Sequence, residues 1–174
     1  MTPSEAHNQA YARDAGHDRM HIDVFKFLRR NQTQRAAEKA GKTVKLDRTG
    51  LFFEYRMHSE KFKFSAFLDI AATYYWDGGK DRGATSSDRA AMLIGYEIKP
   101  KIYSVGAIVR ELKAQEAYMA KLTPPHPRMT EYDFFRCFPV LSANDEKLPM
   151  YLELFGAYVW DAERQELAWE NPRP

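Results

Sequence analysis

Cysteine is nearly absent: one residue, Cys137, stands in a chain of 174. A lone thiol excludes an internal disulfide and any multi-cysteine metal cluster, and it predicts a reducing, cytoplasmic setting. Its surroundings, Tyr132-Asp133-Phe134-Phe135-Arg136-Cys137-Phe138, are mostly aromatic, so the thiol is expected to be buried and inert. Long apolar runs are missing too. Ala90–Tyr96, the longest, contains Gly95 and is far too short to span a bilayer. The first 20 residues lack the apolar centre of a secretion signal, so neither export by that route nor membrane insertion is expected. Catalytic strings are also lacking: there is no Gly-x-Ser-x-Gly, no Ser-x-x-Lys, and no zinc-deaminase pattern.

Aromatic residues are what the chain has in excess. Eleven Phe, ten Tyr and three Trp make up 14% of the residues, within a hydrophobic content of 44%. That content suits a globular domain, and the length suits one core. The expected organisation is an arm over residues 1–19, one α+β domain over 20–170 and a tail over 171–174. Net charge is only +2, but it is unevenly spread. From Val24 to Lys63 eleven bases meet four acids, whereas from Glu131 onward nine acids meet four bases. A basic stretch attracts phosphate backbones or acidic proteins; alternatively the two halves face each other, or the charges are solvated.

Met20–Ala40 reads as a helix, with Ile22, Phe25 and Leu28 recurring at helical spacing and Gly41 as its stop. Leu51, Phe53, Tyr55 and Met57 alternate with Phe52, Glu54, Arg56 and His58, and a second alternation runs from Lys61 to Ile70. A two-residue turn at Ser59-Glu60 would pair Met57 with Phe62, Tyr55 with Phe64, Phe53 with Ala66 and Leu51 with Leu68. One face of that hairpin is apolar; the other is basic and aromatic. Phe64, Phe67, Leu68, Ala71 and Tyr75 also fit helical spacing, so the second segment has a helical alternative. Asp77–Ser87 is a glycine-rich loop, and Ala90–Ile98 is either a helix or a buried strand. Ser104–Leu122 is a helix capped by Ser104 and ended by the prolines after Thr123. Thr130-x-x-Asp133 predicts a short helix to Arg136. Met150–Glu170 predicts a second hairpin with Trp160 opposite Gln165, Tyr158 opposite Leu167, and Trp169 laid over Gly156. The fold class is therefore α+β: a mainly antiparallel sheet of two β-hairpins packed against two principal helices.

His17 and His21 have the i, i+4 spacing that lets two imidazoles share a metal on a helix. No third ligand is evident, so they are expected on solvated surface and no metal is assigned. Gly41-Lys42-Thr43 lacks the rest of a phosphate-binding loop. Gly78–Gly83 carries Lys80 and Arg82 but matches no phosphate-binding fingerprint, and a surface turn is expected. No cofactor is assigned. Asp69 and Glu97 are acids set beside apolar stretches, where burial shifts pKa values, although sequence does not say whether they converge.

Aromatic rings among cations on a sheet face are how proteins hold single strands: rings stack on bases while cations track phosphates. Phe52, Arg56, Lys61, Lys63 and Phe67 would form such a face, with Lys26, Arg29 and Arg30 as an adjoining basic helix surface. Alternatively, a helix covers Phe52 and Phe67 and the sheet is buried on both sides. Residues 34–48 match the first half of a helix-turn-helix, but Val44–Gly50 reads as extended chain. The expectation is a small non-enzymatic protein that binds nucleic acid, single-stranded before duplex. The alternative is an inhibitor or adaptor, of the phage or mobile-element type, that docks onto a larger protein or nucleoprotein complex.

Overall fold

A computed structural model describes residues 15–40, 48–77, 89–124 and 130–172. The chain runs α1 (Ala15–Ala40), β1 (Arg48–Ser59), β2 (Phe64–Asp77), β3 (Arg89–Lys99), α2 (Val105–Met119), β4 (Phe134–Ser142), α3 (Leu148–Leu152), β5 (Ala157–Asp161) and β6 (Glu166–Glu170). The six strands form one sheet in the order in which they occur along the chain. β1–β2, β2–β3 and β5–β6 pair antiparallel, while β3–β4 and β4–β5 pair parallel. The α+β class holds, but the sheet is mixed rather than mainly antiparallel. Its parallel pairs need crossovers, which α2 and α3 provide.

α1 covers one face. Met20, Val24 and Leu28, four residues apart, pack on Ile70, Ala72, Ile94, Ile98 and Trp160. Asp18 in its first turn suits the positive end of the helix dipole. α2 and α3 cover the other face. Met119 reaches Met57, Leu68 and Leu93, and Tyr151 and Leu152 pack with Ile102, Leu141 and Val159. Ser104 caps α2 as expected, accepting a hydrogen bond from the Ala107 amide. Two other expectations fail. Thr130–Asp133 opens a strand, not a helix, because the Asp133 carboxylate accepts from the Ala91 amide at 2.7 Å and fixes β4 beside β3. Met150–Leu152 belongs to α3, where Pro149 fits the first turn. The phosphate-loop candidates at 41–43 and 78–83 lie outside the described residues, as does most of the Val44–Gly50 stretch. No helix among the described residues is long and apolar enough to cross a membrane.

Both hairpins form but shift register by an even number of residues. Ser59 pairs with Phe64 and Met57 with Ala66, so the first turn spans four residues instead of two. Trp160 pairs with Leu167 and Tyr158 with Trp169, yet the Trp169 ring still fills the space over Gly156. An even slip returns each side chain to its own side, which is why the pattern survives the error.

The first hairpin also exchanges faces partway along. Leu51, Ile70 and Ala72 pack on the α1 side, whereas Tyr55, Met57, Ala66 and Leu68 pack on the α2 side. Between them the Glu54–Asp69 pair is missing from the ladder, and Glu54 has φ 52. A left-handed backbone costs a non-glycine residue ~1–2 kcal/mol. Here it turns one continuous apolar alternation into two half-faces, each under its own helix.

Candidate active site

At the site of this exchange, β2 leaves β3. The two strands pair from Asp77–Arg89 only as far as Ile70–Tyr96. Beyond that point β2 continues with β1, and Glu97–Lys99 continue with β4. The result is a fork, and side chains replace the backbone bonds lost there. The Asp69 carboxylate accepts from the Ile98 amide at 2.8 Å. Gln115 on α2 bridges the prongs, its Nε2 donating to the Phe67 carbonyl at 2.8 Å and to Glu97 Oε1 at 3.1 Å. Lys99 Nζ lies 3.6 Å from Glu97 and 2.9 Å from Glu111 of α2.

α1 closes the other side. His17 Nε2 stands 3.4 Å from Asp69 Oδ2. His21 Nε2 donates to the Asp69 carbonyl at 2.6 Å, and its ring stacks on Phe53 at 3.9 Å between centroids. The expectation of solvated histidines is overturned: His21 is fully buried, because α1 begins at Ala15 and carries both imidazoles onto the sheet. Their i, i+4 spacing does place them on one helix face, with centroids 5.6 Å apart.

The fork drives its two carboxyls in opposite directions. Burial pushes Glu97 up to about 8, aided by the negative charges of Asp69 and Glu111 and opposed by Lys99. Burial alone would raise Asp69 as well. The hydrogen bonds from His17 and the Ile98 amide, with the charges of both histidines, outweigh it and hold Asp69 below the usual carboxylate range. Lys99 is likewise penalised by burial, but Glu97 and Glu111 carry it above its ordinary value. At neutral pH Asp69 is charged, Lys99 is charged and Glu97 holds a proton. Two acids with pKa values driven apart at one buried fork is an arrangement that acid–base sites share. Gln115 Oε1 is buried beside them without a hydrogen-bond partner among the described residues. No group of three or more His, Cys, Asp or Glu among those residues is arranged to hold a metal ion.

The basic and aromatic residues expected to bind nucleic acid lie in four places. Arg56 and Phe67 are cross-strand partners, with Arg56 Nε donating to Ser65 Oγ. Phe52 pairs with Ala71 on the opposite, α2 side and leans on Tyr55. Both helix-covered faces leave these rings open at the sheet margin, Phe52 at 41% and Phe67 at 55% exposure. Lys61 and Lys63 sit in the hairpin turn. Lys26, Arg29 and Arg30 are exposed on α1, ~14–20 Å along the helix from His17 at 1.5 Å per residue. No single surface collects all eight. Cys137 is buried and its thiol is held protonated by burial, as its aromatic setting implied.

Asp69 and Glu97 were visible as acids in apolar segments; Lys99, Gln115 and Glu111 were not singled out. The available signal was Glu97-Ile98-Lys99, two charges on alternate residues of a strand otherwise buried. No family model, no curated protein and no solved structure matches this chain.

Proposed function

We propose that this protein is a divalent-cation-dependent nuclease that hydrolyses phosphodiester bonds at the fork. One observation carries the reading: Asp69 on one prong accepts from the Ile98 amide on the other, between Glu97 and Lys99, in a buried setting where its negative charge opposes ionisation of Glu97. A hard cation such as Mg²⁺ relieves that repulsion, needs only one or two carboxylates, and completes its shell with water and substrate phosphate. Asp69 and, once it has lost its proton, Glu97 are the two carboxylates that would hold the ion, fewer than the three side-chain ligands of a built metal site, and Gln115 Oε1 would accept from one of its waters. The cation would polarise the phosphoryl group and acidify a water. Lys99 supplies fixed positive charge where negative charge develops on the phosphate. A water oxygen would bond to phosphorus while its proton passes to bulk water, and the bond from phosphorus to one sugar oxygen would break, that oxygen leaving with a proton from solvent. The cations of α1 and of the hairpin turn supply long-range attraction for a polyanion.

A second reading, docking onto a larger protein, is favoured by the exposed apolar residues Met150, Leu154 and Trp169 near α3 and β6. The deciding experiment incubates labelled single-stranded and duplex DNA and RNA with the protein in Mg²⁺, Mn²⁺ or chelator. Cation-dependent cleavage that falls at least a hundredfold in Asp69→Asn and Lys99→Ala is expected. Salt-sensitive binding without cleavage would return the protein to a non-enzymatic binding role. Neither binding nor cleavage would leave the protein-docking reading.

A further inference from the structure

The β1–β2 hairpin continues past the fork for the six residues Phe64–Asp69, an arm of ~20 Å at 3.3 Å per residue. α2 runs beneath it. Gln115 holds the Phe67 carbonyl, Phe64 and Tyr118 lie 4.9 Å apart, and Met119 packs on Met57 and Leu68. At the end of the arm the Phe62 ring is 46% exposed, and two ammonium groups, of Lys61 and Lys121, sit 5.2 Å from its centroid. The turn is fixed locally: Ser59 Oγ accepts from the Phe62 amide, and Lys63 adopts φ 53. Glu60, the one acid there, is engaged by His58 at 2.7 Å and Lys63 at 3.5 Å. Lys61 and Lys121 face no acid among the described residues. The turn thus holds a half-exposed aromatic ring with two lysine ammonium groups over it, neither paired with an acid among the described residues.

We propose that this tip is a stacking platform for a single nucleic-acid strand whose neighbouring phosphodiester lies in the fork. Both lysine side chains are long enough to swing off the ring, so that a base takes its face whatever the sequence while the ammonium groups meet the phosphates on either side. Charge complementarity selects a polyanion over an apolar protein segment. The inference rests on the fork being the cleavage site, and it adds a distance. The arm from Asp69 to the turn sets it at ~20 Å, at 3.3 Å per residue. That is about six stacked nucleotide steps at ~3.4 Å.

Length dependence tests it. Steady-state cleavage of labelled oligothymidylates from two to twelve nucleotides would be compared in the wild type, Phe62→Ala, Phe62→Trp and Lys121→Glu, each checked for folding by circular dichroism. For the twelve-mer, Phe62→Ala and Lys121→Glu are expected to raise KM at least fivefold with kcat unchanged, and Phe62→Trp to restore it. The dinucleotide, too short to reach the tip, should show no change. Equal KM for wild type and Phe62→Ala at every length would overturn the proposal, as would an equal rise on the dinucleotide. If the wild type cleaves nothing, anisotropy of the labelled twelve-mer decides for the tip alone. Weaker binding by Phe62→Ala would keep the platform without the nuclease, and unchanged binding would remove it.

Discussion

Glu97→Gln tests the electrostatics of the fork without presupposing any substrate. In the folded protein Glu97 keeps its proton up to about pH 8, whereas an ordinary glutamate releases it near 4.5. Between these values the folded state binds more protons than the unfolded state, so this group makes stability fall as pH rises. Its contribution is complete below pH 4.5, declines through the interval, and is lost above about 8. At ~1.4 kcal/mol per pH unit the span amounts to on the order of 5 kcal/mol, a large share of the ~5–15 kcal/mol that stabilises a typical domain. Glutamine keeps an oxygen to accept from Gln115 and carries no charge to desolvate. Urea unfolding from pH 5 to pH 9 should therefore show a falling wild-type curve and a markedly flatter one for Glu97→Gln. The variant should be the more stable of the two at pH 9. Mg²⁺ should restore stability to the wild type at high pH and leave the variant unaffected, because the ion binds the ionised carboxyl. Parallel pH curves for the two proteins would refute the argument, since the penalty would then lie elsewhere.

Packing makes two further predictions. Leu68 is fully buried and its Cδ2 would stand 2.9 Å from a Cβ placed on Gly95. Leu68→Ala should cost about 3 kcal/mol in chemical denaturation, and Gly95→Ala, destabilising alone, should become neutral or favourable in that background by filling the cavity. At Gly156 an added Cβ would lie 2.4 Å from Trp169 Cζ2, so Gly156→Ala should lower stability by ~1–3 kcal/mol and red-shift tryptophan emission as the ring is displaced.

Local patterning made much of the fold legible. The strands of Leu51–Ile70, the Ser104 cap and the Trp169–Gly156 contact all follow from short-range sequence and are present, although the single apolar face expected of that first hairpin is not. Non-local choices were not legible. Phe134–Ser142 is a strand because it pairs in parallel with β3 across an intervening helix, and nothing within Thr130–Arg136 announces that partner. The face exchange at Glu54 was hidden for a related reason: the alternation runs unbroken through it, and only two helices on opposite faces make half of it turn over. The site suffered most. Its members come from α1, β2, β3 and α2, scattered over roughly a hundred residues, and His17, Asp69, Glu97 and Gln115 each look ordinary alone. Basic residues, in contrast, are conspicuous in sequence but spread over three surfaces in space.

The sheet order has a consequence for synthesis. Among the described residues every strand pairs only with its predecessor and successor in the chain. No later strand has to be inserted between two that have already met, so the sheet can grow from one margin while translation proceeds. All four elements of the fork have been made once Met119 has emerged. At that moment β3 still offers an unpaired edge flanked by Leu93, Ile94 and Ile98, which are buried in the finished protein. Such an edge is a template for another chain until β4 occupies it. A ribosome stalled between α2 and β4 would therefore display a nascent chain primed to aggregate, and the interval before Phe134 appears is when a chaperone would matter most.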